Sequence, residues 1–424
     1  MIRQFRSFDP AARLLMVNQF TINTAFYMLM PYLAAHLAGG LGLAAWAVGL
    51  VLGMRNFSQQ GMFLVGGTLA DRLGCKRVIV AGCALRTAGF ALLAFADSLP
   101  ALVLASAATG FAGALFNPAV RAYLATEAGE RRVEAFALFN VFYQAGMFAG
   151  PLLGLALLSV DFRMVGALAA LLFAGLTVVQ ARSLPDRPIE TDREKGVLAD
   201  WRTVLANRPF LLFSAVMVGS YVLSFQVYLA LPLQANRTVP GSGDTVTAVL
   251  FAVSALVAAA GQLRITGWMR ARWSPNRAIT AGILLMGLAF VPLLSGSHVI
   301  TAADSTPRHW LIAVGPLLLS AGLLAAGTAV VYPFEMDTVV SLANGRLVAT
   351  HYGLYNTVSG VGITLGNLAV GELWDRSAAG MPRLPWLVLA ATGLACAAAM
   401  ALLARSGRLR PSRTGQAPAL ETTG

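Results

Sequence analysis

Charge is scarce in this sequence, and its scarcity excludes an ordinary soluble fold. Charged residues make up 12% of the 424 positions and hydrophobic residues make up 57%, whereas a soluble domain has about 25% charged residues. We therefore predict an all-α integral membrane protein. Because one helical span needs about 20 apolar residues, a chain of this length has room for roughly a dozen spans.

Cysteine is also rare. Cys75, Cys83 and Cys396 are the three cysteines of the chain, and no pair of them has the spacing of a disulfide or a zinc site. The sequence has no G-x-x-x-x-G-K-[ST] loop for nucleotide phosphates. These absences argue against a metal centre, an ATP-driven pump and a membrane enzyme. We expect no cofactor and no catalytic residue.

A third absence concerns acidic residues inside the membrane. No Asp or Glu is predicted at mid-depth of any span, although proton coupling needs a group that titrates in the working pH range. The first span instead has Asn18, Gln19 and Asn23. The remaining candidates for proton binding are Asp71, Glu335, Asp337, Glu372, His36 and His351.

The net charge of +12 comes from bases that cluster in short loops and at the two ends of the chain. In a soluble protein this would suggest nucleic acid, but here it indicates topology and contact with anionic lipid headgroups. Because basic loops stay in the cytoplasm, both termini are predicted to be cytoplasmic. The basic segment Met1–Arg13 precedes a long apolar run without a cleavage pattern, so that run is predicted to be helix 1.

The apolar runs predict twelve transmembrane helices. They lie at residues 14–37, 45–69, 77–97, 100–124, 135–158, 163–184, 210–234, 246–267, 278–297, 310–332, 351–373 and 385–404. The polar segment 185–209 is predicted to be a cytoplasmic linker with a short interfacial helix. It divides the chain into six-helix halves at 1–184 and 210–404, and a cytoplasmic tail follows at 405–424.

The two halves repeat each other. Span 5 has an aromatic residue and Asn140 with glycines 6 and 10 positions later, and span 11 has the same arrangement after Asn356. Two six-helix halves of parallel topology place a substrate site between them, near the middle of the membrane.

A short loop of sequence G-T-L-A-D-R-L-G-C-K-R occupies residues 67–77, between spans 2 and 3. Gly67 allows a neighbouring helix to approach closely, and Gly74 can end its helix. Asp71 is placed where it could face the positive N-terminal end of another helix. The loop also contains three basic residues, Arg72, Lys76 and Arg77, and such residues predict a cytoplasmic position. The alternative is an ordinary loop that retains positive charge.

Span 5 also has small residues at every fourth position, followed by a proline. These residues are Gly146, Gly150, Pro151 and Gly154. Such a pattern lets helices pack backbone to backbone, and the proline allows a bend. A general packing face is the alternative to a transport-specific role.

Two arginines, Arg55 and Arg86, are predicted near mid-depth of spans 2 and 3. A charge there is costly, so it indicates function by default. They are candidates to contact a negative group on a substrate or to bond helix carbonyls, and the alternative is that their side chains extend to the interface.

Arg121 in span 4 and the acids Glu335 and Asp337 in span 10 follow prolines at matching positions of the two halves. Opposite charges at symmetric positions predict a gate between the halves on the cytoplasmic side. Ordinary charges at helix ends are the alternative.

Polar and aromatic residues on spans 1, 5, 7 and 11 are candidates to line a substrate pocket. They are Asn23, Tyr27, Tyr143, Gln144, Tyr221, Gln226, Tyr228, Tyr355 and Asn356. For each aromatic residue, core packing or contact with lipid is the alternative.

The loop at 67–77 resembles the signature loop of the major facilitator superfamily of transporters, and the span 5 pattern resembles the antiporter motif of its drug exporters. The runs 48–55 and 86–90, together with Asn117-Pro118 and Arg121, are similar to MdtH-type bacterial multidrug exporters. The resemblance implies twelve helices in the bacterial inner membrane. It also implies proton-coupled export of drug-like molecules by alternating access of the two halves.

The resemblance further implies that Asp71 helps to hold the cytoplasmic side closed against helix 11. One departure is Ser106, which precedes Gly110 where many drug exporters have an arginine. The alternative transport function is specific export or import of a metabolite or lipid, including an anion held by Arg55 and Arg86. A non-transporting membrane sensor is the alternative from another class. We expect a monomer with partners limited to substrate, protons and lipid.

Overall fold

The computed structural model describes residues 2–43, 45–158, 161–187, 196–239, 243–295, 307–378 and 380–409. Positions 188–195 of the predicted linker and 410–424 of the predicted tail lie outside the described residues. The regular secondary structure of the described residues is entirely helical.

The N-terminal half consists of six long helices. They are α1 (Pro10–Ala35), α2 (Ala45–Leu73), α3 (Cys75–Phe95), α4 (Leu99–Ala128), α5 (Arg132–Leu158) and α6 (Phe162–Ser183). A short helix, Ile2–Arg6, precedes α1, and a π-helical turn, His36–Gly40, follows it.

The C-terminal half also has six long helical segments, the first of which is interrupted. They are α7a (Arg208–Ser224) with α7b (Ala230–Thr238), α8 (Gly243–Arg272), α9 (Pro275–Leu288), α10 (Pro307–Leu342), α11 (Val348–Ala378) and α12 (Leu384–Arg405). The linker helix, Val197–Ala206, lies between the halves in sequence.

These helices are long enough to cross a bilayer. Among the described residues, eight stretches meet the requirements of length and hydropathy, and one of them, Leu99–Leu158, contains both α4 and α5. The other three helices, α1, α2 and α11, have 26, 29 and 31 residues. At about 1.5 Å per residue each exceeds the roughly 30 Å of a hydrocarbon core.

Two of the predicted spans are interrupted, and prolines account for both breaks. Span 7 changes into a 3₁₀ turn at Phe225–Val227, and span 9 ends at Leu288 before a second 3₁₀ turn. Proline has no N–H for the carbonyl four residues earlier and its ring clashes with that carbonyl. For Pro232 that carbonyl belongs to Tyr228, and for Pro292 it belongs to Leu288, so each helix breaks there.

The halves are built alike and face each other through equivalent helices. Within the N-terminal half α1 packs on α5, and within the C-terminal half α7a packs on α11. Between the halves, α2 packs on α11, and α5 packs on α8 and α10. Because α5 and α11 occupy equivalent places, they flank the space between the halves. The loop 67–77, the linker helix and the two ends of the described chain, at residues 2 and 409, lie on one side, which we call the termini side.

Candidate transport site

A cavity of about 360 Å³ lies between the two halves. Its wall on the N-terminal side includes Asn23, Tyr27, Tyr143 and Gln144, and on the other side Tyr228 closes it against Phe251 on α8. The phenols of Tyr27 and Tyr143 are 3.3 Å apart, and the rings of Tyr228 and Phe251 have centroids 5.5 Å apart. The cavity therefore combines aromatic surface with a few polar groups, as ligand sites in proteins generally do.

Arg55 and Arg86, the two arginines predicted at mid-depth, both reach this cavity. Arg55 donates to the side-chain oxygens of Asn56 and Gln59, each at 2.8 Å. Arg86 is 6% exposed and lies among aromatic rings, its guanidinium carbon 5.5 Å from the centroid of Phe173. Neither forms an ion pair with an acid among the described residues. The chain thus places two cations next to the space a substrate would occupy.

Two asparagines at equivalent positions of the halves bridge them at the end of the cavity nearest the termini side. Asn140 on α5 donates to Gln262 on α8 at 2.7 Å, and Asn356 on α11 accepts from Arg121 on α4 at 2.9 Å. The internal repeat in the sequence therefore marks a pair of contacts across the interface. Asn140 and Gln262 were not among the predicted site residues, although the repeat contained the signal for Asn140.

Glu335 lies just beyond the cavity wall, fully enclosed by protein. Glu335 is 4% exposed, and its carboxylate accepts a hydrogen bond from the phenol of Tyr355. Tyr221, which lines the cavity, packs edge-to-face on Tyr355 with ring centroids 5.9 Å apart. A buried carboxylate is thus separated from the cavity by one layer of tyrosines.

The termini side is closed by a contact between α2 and the start of α11. Asp71 accepts from the backbone N–H of Ala349 at 3.1 Å and from Thr350 through its N–H at 2.7 Å and its hydroxyl at 2.6 Å. Asp71 therefore caps a helix of the other half, and its charge faces the positive end of that helix.

Two glycines allow α2 and α11 to approach this closely. A Cβ on Gly67 would collide with the carbonyl oxygen of Ala349, and a Cβ on Gly353 would collide with the carbonyl oxygen of Phe63. Gly74 follows α2 with a φ of 91°, a conformation that side chains disfavour, and so permits the sharp turn into α3.

The structure pairs Arg121 with neither of the two acids that the sequence placed at the gate. Asp337 pairs with Arg132 at 2.8 Å across the halves, not with Arg121. Residues two apart on a helix point in different directions, so Glu335 turns inward beside Tyr355 while Asp337 reaches the start of α5. Arg121 bonds to Asn356 and makes no ion pair with Glu335 within 4 Å.

The linker helix is docked on the signature loop. Arg72 donates to Asp200 at 2.7 Å, and the indole of Trp201 donates to Thr68 at 2.8 Å. Lys76 pairs with Asp186 at 3.3 Å before the linker helix, while Arg77 is exposed.

The linker also contacts the end of α4 through Arg187, which pairs with Glu127 at 2.6 Å. This contact raises the pKa of Arg187 through its hydrogen bond to the carboxylate. The linker predicted to contain a short helix has one at Val197–Ala206, and its described part is fastened to the N-terminal half through Asp186, Arg187 and Asp200.

The glycines of the span 5 motif pack α5 against α1. A Cβ on Gly150 would lie 2.8 Å from the carbonyl oxygen of Thr24, and Cβ atoms on Gly146 and Gly154 would lie still closer to the carbonyl oxygens of Phe20 and Met28. The carbonyl of Pro151 accepts from the hydroxyl of Tyr32 on α1 at 2.7 Å. The equivalent glycines of α11 pack on valines of α7a, so the motif builds the same helix pair in both halves.

Two predicted lining residues do not line the cavity. The phenol of Tyr355 turns away to Glu335, and the ring is fully buried. Gln226 lies at the break in α7, where its amide donates to the carbonyl of Val222 at 2.8 Å and to Asn367 at 3.3 Å. That side chain thus donates to a carbonyl in the last turn of α7a, where a helix end leaves carbonyls to be satisfied by other donors.

The histidines among the candidates for proton binding have other contacts. Nδ1 of His351 lies 2.8 Å from the carbonyl of Leu347 and Nε2 lies 3.2 Å from the amide nitrogen of Asn207. Those partners fix one neutral tautomer. His36 stacks on Phe162 at 3.7 Å between centroids, on the side opposite the termini.

Two six-helix halves around a central cavity, with a closed helix contact on one side, define a multi-pass membrane transporter. The Major Facilitator Superfamily model matches residues 15–367. The chain therefore belongs to the Major Facilitator Superfamily, and it is a transporter rather than an enzyme.

Relatives and solved structures agree with this family. An uncharacterized MFS-type transporter of Mycobacterium tuberculosis is 56% identical over 375 residues, which is 88% of each chain. The multidrug resistance protein MdtH of Salmonella schwarzengrund is 30% identical over 89% of this chain and 90% of its own. The crystal structure of the E. coli fucose:proton symporter has a TM-score of 0.70 at 13% identity, covering 93% of this chain and 98% of that one.

Proposed function

We propose that this protein exports amphipathic small molecules across the bacterial cytoplasmic membrane in exchange for protons. The observation that carries the proposal is the cavity of about 360 Å³ shared by both halves, whose aromatic wall suits amphipathic molecules. The contact of Asp71 with the start of α11 closes one side. Alternating access requires this contact to open when the cavity faces the termini side.

The names of the MdtH relatives, which are multidrug resistance proteins, support export of several compounds. The excess of basic residues on the termini side supports a cytoplasmic position for that side and for both termini. The structure then corresponds to the state in which the cytoplasmic side is closed. The protein acts as a monomer in the lipid bilayer.

Glu335 is the residue we assign to proton coupling. It is a buried carboxylate that accepts a hydrogen bond from Tyr355, and Tyr221, Tyr332 and Arg121 are its electrostatic neighbours. Tyr332, Tyr221 and Arg121 also line the cavity. A proton on Glu335 and a substrate in the cavity can therefore affect each other through Tyr355 and Tyr221, as coupled transport requires.

The test uses proteoliposomes with wild type, Glu335→Gln and the control Glu130→Gln, which removes an exposed loop carboxylate. A fluorescent drug is the substrate, and two readouts are compared. The first is accumulation of the drug driven by a pH gradient, and the second is exchange of the drug without a gradient. We expect Glu335→Gln to lose accumulation at least tenfold and to keep exchange, with Glu130→Gln unchanged. Gradient-driven accumulation by Glu335→Gln would show that another group carries the proton. Absence of both activities in the wild type would contradict the exporter itself.

A further inference from the structure

The charge of the cavity wall is unusually one-sided. Among its described lining residues are three arginines, Arg55, Arg86 and Arg121, and no Asp or Glu. A site for cationic drugs would instead present a carboxylate or a ring face free of competing cations. The wall thus has the electrostatic character of an anion site.

Arg86 is the strongest element of this argument. It is 6% exposed, and among the described residues it makes no hydrogen bond and no ion pair. Its contacts are the rings of Phe26, Phe116 and Phe173, whose centroids lie 5.5–5.9 Å from its guanidinium carbon. Buried charges in proteins are normally paired and hydrogen-bonded, so this guanidinium is a donor group without an acceptor.

Arg55 lies beside it and shares one of its aromatic neighbours. The guanidinium carbon of Arg55 is 4.5 Å from the centroid of Phe26, and that of Arg86 is 5.9 Å from the same ring. Two like charges held next to one ring repel each other in a protein interior. An anion between them would remove this repulsion, whereas a cation would increase it.

Arg121 has a different role and is not part of this pair. It is bonded to Asn356 and its field acts on Glu335, at the termini-side end of the cavity. Gly110 on α4 packs directly on the backbone of Arg55.

We infer that the cargo is an amphipathic organic anion whose carboxylate, sulfonate or phosphate group binds between Arg55 and Arg86. Its apolar part lies along the aromatic wall formed by Tyr27, Tyr143 and Tyr228. Guanidinium groups suit such headgroups because their donors match the two oxygens of a carboxylate or phosphate in parallel. This inference rests on the proposed export function and names its substrate class.

The test uses two probes with the same ring and opposite charge, 2-naphthalenesulfonate and 2-naphthyltrimethylammonium. Initial rates in proteoliposomes under an imposed pH gradient give an apparent KM for each. The variants are Arg86→Gln, Arg86→Lys and Arg55→Gln. The matched control, Arg163→Gln, removes the same charge from an exposed pair with Asp97. Gel filtration confirms that each variant is folded.

We expect wild type to transport the sulfonate with a KM at least tenfold below that of the ammonium probe. Arg86→Gln and Arg55→Gln should each raise the KM for the sulfonate at least tenfold, Arg86→Lys less, and Arg163→Gln not at all. Wild type that prefers the ammonium probe, or glutamine variants with an unchanged KM for the sulfonate, would overturn the inference and leave the export function standing. Wild type that transports neither probe would count against the export function itself. The comparison of the two probes in wild type decides the matter even if a variant does not fold.

Discussion

Asp71 on α2 and Thr350 on α11 are joined by two hydrogen bonds across the interface of the halves. The carboxylate accepts from the backbone N–H of Thr350 at 2.7 Å and from its hydroxyl at 2.6 Å. The acid thus caps a helix that belongs to the other half, so the N-terminal end of α11 is complete only while this side is closed. Opening must separate the acid from that helix end.

Replacing Asp71 with alanine should therefore shift the protein towards the state open on the termini side. Hydrogen bonds to a charged group contribute about 1.5–3 kcal/mol, so the shift should be roughly tenfold to a hundredfold. The measurement uses protein in which the native cysteines are replaced and Ser254→Cys places one cysteine in the cavity. An impermeant maleimide is added from the termini side, and its rate of reaction with that cysteine is recorded.

Asp161→Ala is the matched control for this change. Asp161 caps α6 by accepting from the N–H of Arg163 at 2.9 Å, within one half. Its loss should lower stability by about 1 kcal/mol without changing the labelling rate. Equal labelling of Asp71→Ala and wild type would show that the contact does not control opening.

Gly67→Ala should act on the same equilibrium by a steric route. The new methyl group would collide with the carbonyl of Ala349 on α11, and overpacking of this kind costs about 1–3 kcal/mol. Gly53→Ala, a change on the same helix, is the control, because a Cβ at that position meets no atom within 4 Å. We expect faster cavity labelling and at least fivefold slower transport for Gly67→Ala alone. Equal transport by the two variants would show that α2 and α11 need not approach closely.

The twelve spans could be predicted because the length of an apolar run needed to cross a bilayer is fixed by the bilayer itself. Asp71 could be placed at a helix end because its loop resembles a known signature. The breaks in α7 and α9 were also readable in principle from Pro232 and Pro292, since proline removes a specific hydrogen bond.

The partners across the interface could not be predicted in the same way. Asp337 pairs with Arg132 rather than Arg121, and Tyr355 turns to Glu335 rather than to the cavity. Those choices depend on the rotation of each helix about its axis, which packing between distant segments decides. Symmetry in the sequence identified the right helices but not the side-chain pairs.

Reversing the charges of Arg132 and Asp337 tests their pairing across the halves. Their side chains are 29% and 17% exposed and lie 2.8 Å apart. We expect Arg132→Asp and Asp337→Arg each to slow transport at least fivefold, because each leaves like charges in contact. The double exchange should restore more than half of the rate. The exchange of Arg121 with Asp337 should not restore transport, and rescue by that exchange would favour the gate expected from sequence.

The linker should contribute to stability through the pair of Arg72 with the buried Asp200, and little through the pair of Lys76 with the exposed Asp186. Asp200 accepts from Arg72 at 2.7 Å and its side chain is 7% exposed, whereas Asp186 accepts from Lys76 at 3.3 Å and its side chain is 74% exposed. Asp200→Ala leaves the partly buried guanidinium of Arg72 without this partner and should cost about 1–3 kcal/mol. Asp186→Ala should cost less than about 0.5 kcal/mol, because exposed pairs contribute little.

Thermal unfolding of the two variants in detergent, followed by tryptophan fluorescence, measures this difference. The expected result is a Tm several degrees lower for Asp200→Ala and unchanged for Asp186→Ala. Because Arg72 lies in the signature loop beside Asp71, loss of Asp200 should also speed cavity labelling from the termini side. A lower Tm without faster labelling would mean that the linker helix stabilises the N-terminal half without influencing the closed contact.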